Sequence, residues 1–123
     1  MLLNDDRLIL EIVQAARAVH DTLGPGFVEP VYNRAFSLEL RNRGLQLERE
    51  KMIRVIYASI VVGRHYLDLV VESRAIVELK AARSIIPVYE AQMQSYLAAT
   101  DYPLGIIINF GTLQLDWKQI SRS

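Results

Sequence analysis

Two apolar segments that alternate as β-strands carry three charged residues, and this pattern constrains the fold more than any other. The first runs from Gly63 to Val71 and contains Asp68; the second runs from Arg74 to Lys80 and contains Glu78 and Lys80. A buried charge is costly unless it is paired or bound to a cation. Two carboxylates and an ammonium at neighbouring strand ends can hold a divalent metal ion and a water beside it. The ordinary alternative is a cross-strand ion pair on the surface.

The spacing between these strands decides whether the two acids can meet. The strands are joined at residues 72–74, which predicts an antiparallel hairpin. A two-residue loop would place Asp68 opposite Val77, whereas a three-residue loop places it opposite Glu78. We therefore predict a loop of odd length or a bulge. Strict alternation also predicts one face for Tyr66, Asp68 and Val70 and the other for Leu67, Leu69 and Val71.

The remaining segments predict three helices and three further strands. Together with the hairpin they give the order ααβββαββ, an α+β (α/β) fold with a mixed four- to five-stranded sheet flanked by helices. The strand ending at Lys80, the helix after it and the next strand predict a parallel crossover. We interpret residues 1–123 as a single domain. The predicted elements are a helix from about Asp6 to Thr22, a helix from Glu29 past Leu40, a strand Lys51–Tyr57, a helix from Pro87, a buried strand Leu104–Phe110 and an edge strand Leu113–Trp117.

Composition limits the partners and the compartment. Lys plus Arg (14) equals Asp plus Glu (14), so no global basic field holds nucleic acid non-specifically. The chain has no cysteine, no signal-peptide pattern at its start and no apolar run of membrane-spanning length, which predicts a cytoplasmic protein without a membrane partner. One local group of cations is either a solvated face or a phosphate-contacting one: Arg41, Arg43, Arg49, Lys51 and Arg54.

Five further side chains are candidates for a site, and each has an ordinary structural explanation. Glu29 lies at a predicted helix start, where exposed N–H groups favour an acid, and Tyr32 follows on the same face. Gln92 and Tyr96 lie four residues apart on one predicted helix, where Tyr96 can be core and Gln92 solvated. His20 continues an apolar row of the first helix, where a hydrogen-bonded core histidine is commoner than a metal ligand.

Taken together, these segments resemble a known family. Residues Gly26–Tyr32 read G-F-V-E-P-V-Y and fit the GxxExxY signature of small proteins in the PD-(D/E)XK nuclease superfamily. The resemblance extends from about Ile12 to Trp117. Residues Gln92–Tyr96 also resemble the QxxxY motif of RecB-type and lambda-exonuclease-type members. The other matching segments are Leu23–Gly26, Tyr66–Val71, Glu78–Ala81 and Asn109–Gly111.

The resemblance implies a restriction-endonuclease-like core and a role for each candidate. It implies that Asp68, Glu78 and the Leu79 carbonyl bind Mg²⁺ or Mn²⁺, that Glu29 completes the site, and that His20 stands in for an upstream histidine ligand. Lys80 then resembles the catalytic lysine that orients the attacking water, and Gln92 the glutamine near the scissile phosphate. Tyr96 and Tyr32 are the candidates for substrate binding.

The function implied is a metal-dependent nuclease that hydrolyses phosphodiester bonds of DNA or RNA. A catalytically silent nuclease-fold module that binds or regulates, in a homo-oligomer or with a protein partner, is the alternative. A hydrolase acting on another phosphoester would share the same metal chemistry, so it also stays open.

Overall fold

The part of the chain that the structure describes forms one five-stranded sheet with two helices on one face and one helix on the other. The structure is a computed structural model that describes residues 3–123. Its elements are α1 Asp5–Leu23, α2 Glu29–Asn42, β1 Leu47–Tyr57, β2 Ile60–Val71, β3 Ala75–Lys80, α3 Pro87–Ala98, β4 Leu104–Asn109 and β5 Asp116–Ser121.

The strands lie in the sheet in chain order, β1-β2-β3-β4-β5. Only β3 and β4 are parallel, and α3 connects them, so the predicted parallel crossover is confirmed. The other three neighbouring pairs are antiparallel. The predicted element order and the mixed sheet flanked by helices are therefore confirmed.

Local sequence accounts for where the helices begin and end. The Asn4 side chain caps α1 by accepting a hydrogen bond from the Arg7 N–H at 2.8 Å. Gly24, at φ 67°, ends α1 with a backbone conformation that suits glycine. Proline in the first turn opens both α2, at Pro30, and α3, at Pro87.

The two faces of the sheet bury different clusters. The α1–α2 face packs the odd-numbered residues of β3, such as Val77 and Leu79, against helix residues such as Ile12 and Phe36. The α3 face packs Ile76, Ile107, Met93 and Leu97, with further members from β1, β2 and β5. Residues of β3 and β4 are almost all buried, because helices cover both sides of these central strands.

The prediction of a strand at Leu113–Trp117 was wrong in its position. The chain forms bends over residues 111–114, where the Thr112 hydroxyl hydrogen-bonds to the Gln114 carbonyl, and Leu113 is 90% exposed. Strand β5 starts at Asp116, which pairs with Asn109. The alternation of five residues was too short to fix the register. The prediction that this strand lies at an edge of the sheet is confirmed.

The β1–β2 hairpin extends beyond the rest of the sheet. Strands β1 and β2 have 11 and 12 residues, but β2 pairs with β3 only over Leu69–Val71. The sheet therefore opens between β2 and β3 next to Asp68. Over residues 3–123, no helix has the length and apolar character needed to cross a membrane.

Candidate active site at a fork in the sheet

The hairpin register brings Asp68 and Glu78 to the same level of the sheet. Residues 72–74 form the loop, and Val71 pairs with Ala75, so the predicted three-residue spacing is confirmed. The β2–β3 ladder ends at the pair formed by Leu69 and Val77. Asp68 and Glu78 are the next residues on their strands, where the strands begin to separate.

A hydrogen bond from β3 holds the Asp68 carboxylate in the fork. The Leu79 N–H donates to Asp68 Oδ2 at 2.9 Å. The carboxylate thus takes the place of a ladder partner at the point where β2 and β3 part. This bond positions one carboxylate oxygen and fixes Asp68 beside the Glu78–Leu79 peptide.

The predicted strict alternation along β2 was wrong at Asp68. Leu67 packs in the α3-side cluster with Val70, whereas Leu69 packs in the α1–α2 cluster. Opposite Asp68, the β1 ladder skips Glu50, which has φ 52°. This left-handed residue interrupts the ladder, and the side chains on either side of the interruption exchange faces.

Glu78 is buried with an unpaired oxygen. Glu78 is 7% exposed, and its Oε1 has no hydrogen-bond partner within the described residues. Burial raises the pKa of Glu78 to about 9, helped by the Asp68 carboxylate, which accepts a hydrogen bond from the protonated form and repels the ionised one. Lys80 opposes this shift of the pKa because its positive charge favours the ionised acid.

Lys80 is held between α3 and the loop that follows β3. Its Nζ lies 4.3 Å from the centre of the Tyr89 ring, in a cation–π contact. The buried Asn109 side chain accepts from the N–H of Ala82 at 2.9 Å and of Gly111 at 3.0 Å, and donates to the Ala82 carbonyl at 3.0 Å. Asn109 therefore fixes the backbone immediately after Lys80.

Helix α3 brings Tyr96 to the same side of the sheet as Glu78. Burial raises the pKa of Tyr96, and the carboxylates of Glu78 and Asp68 raise it further because they repel a phenolate. Tyr96 also stacks on His65 of β2 at 4.5 Å between ring centres. Gln92, half-buried, lies one helical turn before Tyr96 on the same helix.

A cleft of about 180 Å³ opens on the α2 side of the fork. Asp68 and Glu29 both line it, so the structure brings these two predicted residues to one cavity. Glu78 is not among its lining residues. The other residues around the cleft are Pro30, Asn33, Arg34, Arg49, Glu50 and Leu79.

Asn33 and Arg49 are site residues that the sequence did not single out together. The Asn33 side chain is buried and accepts from Arg49 Nε at 3.1 Å and from the Ser37 hydroxyl at 3.3 Å. This contact joins α2 to β1 across the mouth of the cleft. Arg49 was predicted only as one of a group of cations, and no local pattern links it to Asn33, sixteen positions earlier.

The structure does not bring His20 or Tyr32 to the fork. His20 Nε2 lies 2.9 Å from the Thr112 carbonyl, and its ring packs near Phe110. Tyr32 is fully buried, donates its hydroxyl proton to the Gly24 carbonyl at 2.6 Å and accepts from the Phe27 N–H at 3.2 Å. Both side chains instead brace the loops next to α1 and β4.

The donor set fits a divalent ion in part. Asp68 and Glu78 supply carboxylate oxygens, and Glu78 Oε1 has no hydrogen-bond partner within the described residues. Leu79, whose carbonyl is a further oxygen ligand, lines the same cleft as Asp68. Hard cations such as Mg²⁺ and Mn²⁺ prefer oxygen ligands of this kind. Within residues 3–123, however, no three His, Asp or Glu side chains lie close enough together to form a metal site. Glu29 and His20 are therefore not grouped with the Asp68–Glu78 pair.

Comparison with known proteins places this geometry in a family. A family model of the PD-(D/E)XK nuclease superfamily matches residues 6–122. The chain belongs to the PD-(D/E)XK nuclease superfamily. The sequence predicted that Asp68, Glu78 and Lys80 carry the acidic and lysine residues of this superfamily's signature, and this assignment stays a prediction. A comparison with curated protein sequences found no significant match.

Solved structures share the superfamily fold at low sequence identity. The crystal structure of SSO0001 matches with a TM-score of 0.61 and 16% identity, over 76% of this chain and 49% of that one. An alkaline exonuclease from Laribacter hongkongensis matches with a TM-score of 0.58 and 15% identity, over 100% of this chain and 73% of that one. The match thus spans about half the length of SSO0001.

Proposed function

We propose that this chain is a metal-dependent nuclease of the GxxExxY group, which hydrolyses phosphodiester bonds of DNA or RNA with Mg²⁺ or Mn²⁺. The observation that carries the proposal is the Asp68–Glu78 pair at the fork. A buried carboxyl with an unpaired oxygen beside a second carboxylate is costly unless a cation joins them. Membership of a nuclease superfamily and a fold shared with an alkaline exonuclease support the same function.

The residues at the fork have different roles in the proposed reaction. Asp68, Glu78 and the Leu79 carbonyl would hold the ion, and Glu29, which lines the same cleft as Asp68, would be its further carboxylate. A bound divalent ion supplies an acidified water and stabilises the charge that develops on the phosphate. Lys80, whose Nζ lies over the Tyr89 ring and whose strand leads into the segment that Asn109 holds at Ala82, would orient the attacking water and stabilise negative charge on it.

Helix α3 supplies the groups that position the substrate. We assign the scissile phosphate to Gln92, whose amide can donate to a phosphate oxygen. Tyr96 carries its phenolic proton at neutral pH, as an ordinary tyrosine does, and its raised pKa keeps the proton to higher pH, so Tyr96 also acts as a donor. We propose no direct substrate contact for Tyr32, since its hydroxyl is already occupied by backbone groups of the α1–α2 loop.

A cleavage screen tests the proposal. Purified protein should cut at least one of single-stranded DNA, duplex DNA or RNA in Mg²⁺ or Mn²⁺, and chelation should abolish cutting. Asp68→Asn and Lys80→Ala should lose cleavage at least roughly 100-fold while remaining folded. Asp21→Asn is the matched control, because Asp21 is an exposed carboxylate of α1 with no ion pair in the described part of the chain.

A catalytically silent nuclease-fold binding module is the second candidate. The observation that favours it is that, over residues 3–123, Glu29 does not join Asp68 and Glu78 in a cluster of three metal-binding side chains. Calorimetric titration with Mn²⁺ separates the two candidates. An absence of Mn²⁺ binding, together with no cleavage of any substrate, would support the silent module.

A further inference from the structure

The β1–β2 hairpin past the fork has one face turned to α3 and one turned away. Ile53 of β1 is buried in the α3-side cluster. Its cross-strand partner His65 stacks on Tyr96 of α3. Because successive strand residues alternate, the neighbours of Ile53 and His65 lie on the opposite face. These neighbours are two cross-strand pairs, Met52 with Tyr66 and Arg54 with Arg64.

Arg54 and Arg64 form a directly opposed pair of like charges. Both side chains are exposed, and neither has an ion pair within the described residues. Like charges directly opposite each other in an antiparallel pair destabilise the sheet. Arg54 lies on the edge strand and also borders the groove between β1 and α3. A polyanion lying along this face would remove the repulsion between the two guanidinium groups.

Tyr66 lies between this arginine pair and the fork. Tyr66 is 53% exposed, so its ring is accessible on this face of the hairpin. Tyr66 precedes Asp68 by two residues, roughly 6.7 Å along an extended strand. Arg34 and Arg49 line the cleft at Asp68, so cations stand on both sides of the ring.

We propose that this face of the hairpin binds one polynucleotide strand and leads it to Asp68. Phosphates would contact Arg54 and Arg64, and an unpaired base would stack on Tyr66. A cationic track with an exposed aromatic ring is the chemistry that holds single strands, since bases inside a duplex have no free face for the ring. The direction of the strand, towards the fork, rests on the proposed nuclease function.

Binding measured without divalent ions tests this proposal separately from cleavage. The probes are fluorescent single-stranded DNA, single-stranded RNA and duplex DNA of equal length, titrated in EDTA at several salt concentrations. Arg54→Gln with Arg64→Gln should weaken single-strand binding roughly tenfold at low salt and reduce the salt slope by about 1.4, as expected for two lost phosphate contacts. The control is Arg17→Gln, which removes an exposed arginine of α1 that has no ion pair in the described residues and lies outside the predicted group of cations.

Tyr66 gives an independent readout. Tyr66→Leu should weaken single-strand binding by about fivefold or more, whereas Tyr66→Phe should bind within about twofold of the wild type. Circular dichroism and thermal unfolding check that each variant is folded. A comparison of the DNA and RNA probes shows which sugar the surface prefers, because the two probes have the same phosphate backbone charge and matching base sequences.

The outcomes separate this inference from the proposed function. Single-strand binding that depends on Tyr66 and the arginine pair, without any cleavage, would support the track and count against the nuclease. Cleavage by wild type with unchanged binding in all these variants would overturn the track and leave the nuclease standing. Equal losses for duplex and single strands, or a dimer in light scattering that Tyr66→Leu disrupts without changing affinity, would also overturn it.

Discussion

The Leu79 N–H donates a hydrogen bond to Asp68 Oδ2 at 2.9 Å, and this contact bridges β2 and β3 where their ladder ends. Strand β3 thus binds the Asp68 carboxylate through the Leu79 N–H and carries the second carboxyl group on the adjacent residue, Glu78. The two acids are kept together by main-chain geometry. In the metal-free protein a proton on Glu78 prevents repulsion between the two carboxylates at neutral pH, and a bound metal ion would take the place of this proton.

Replacing Asp68 should lower the pKa of its neighbour. In Asp68→Asn the amide oxygen can still accept from the Leu79 N–H, so we expect the variant to fold. The loss of one negative charge should reduce the pKa of Glu78 from about 9 towards the value that burial alone produces. Carbon-detected NMR of the Glu78 carboxyl over a pH series measures this change. An unchanged titration midpoint would show that Asp68 does not act on Glu78.

Unfolding of the metal-free protein should depend on pH through Glu78. The folded pKa of Glu78, about 9, lies above the ordinary glutamate pKa of 4.5 that applies to the unfolded chain. Between these values the folded state retains a proton that the unfolded state has lost, so the contribution of Glu78 to stability is greatest below pH 4.5 and falls as pH rises towards about 9. The expected slope is up to about 1.4 kcal/mol per pH unit for this one group.

Urea denaturation in EDTA across this pH range measures that slope. Glu78→Gln cannot ionise, so we expect it to lose this part of the pH dependence and to be more stable than the wild type at pH 8. The control Asp21→Asn should keep the wild-type slope, since Asp21 is exposed on α1. Equal slopes for the wild type and Glu78→Gln would show that Glu78 is ionised in the folded protein.

The sequence predicted the parts of the fold that depend on local spacing. The loop of residues 72–74 fixed the parity of the hairpin, and the buried run at Leu104 identified a central strand. The sequence could not predict that side chains exchange faces at Asp68. This exchange follows from the left-handed backbone of Glu50, and a glutamate does not indicate that conformation.

The site was less predictable than the fold, because its outer contacts join segments that are far apart in the chain. Glu29 and Asp68 line one cleft, but the predicted role of Glu29 at a metal site stays a prediction, and no sequence pattern indicated the bond between Asn33 and Arg49. His20 lay on the predicted buried face of α1, yet its partner is a carbonyl 92 positions away, at Thr112. A single sequence does not indicate which distant residues contact each other.

Metal binding should release protons near neutral pH. Glu78 with a pKa of about 9 carries a proton at pH 7, and a carboxyl must lose its proton to bind a divalent ion. We therefore expect about one proton released per Mn²⁺ bound, and an affinity that rises by about tenfold per pH unit up to this pKa. Calorimetry in two buffers with different ionisation enthalpies measures the proton count. Identical binding enthalpies in the two buffers would contradict the prediction.

We expect that the backbone segment that Asn109 holds, just after Lys80, cannot accommodate a side chain at Gly111. A Cβ placed on Gly111 would lie 2.5 Å from both the N and O atoms of Ala82, and these backbone atoms are held by Asn109. Gly111→Ala should therefore destabilise the protein by about 2 kcal/mol and also reduce cleavage, because this segment positions Lys80. Gly63→Ala is the matched control, since nothing lies within 4 Å of its added Cβ. Thermal unfolding of both variants tests this, and equal stability would mean that the loop after β3 moves freely enough to accept the methyl group.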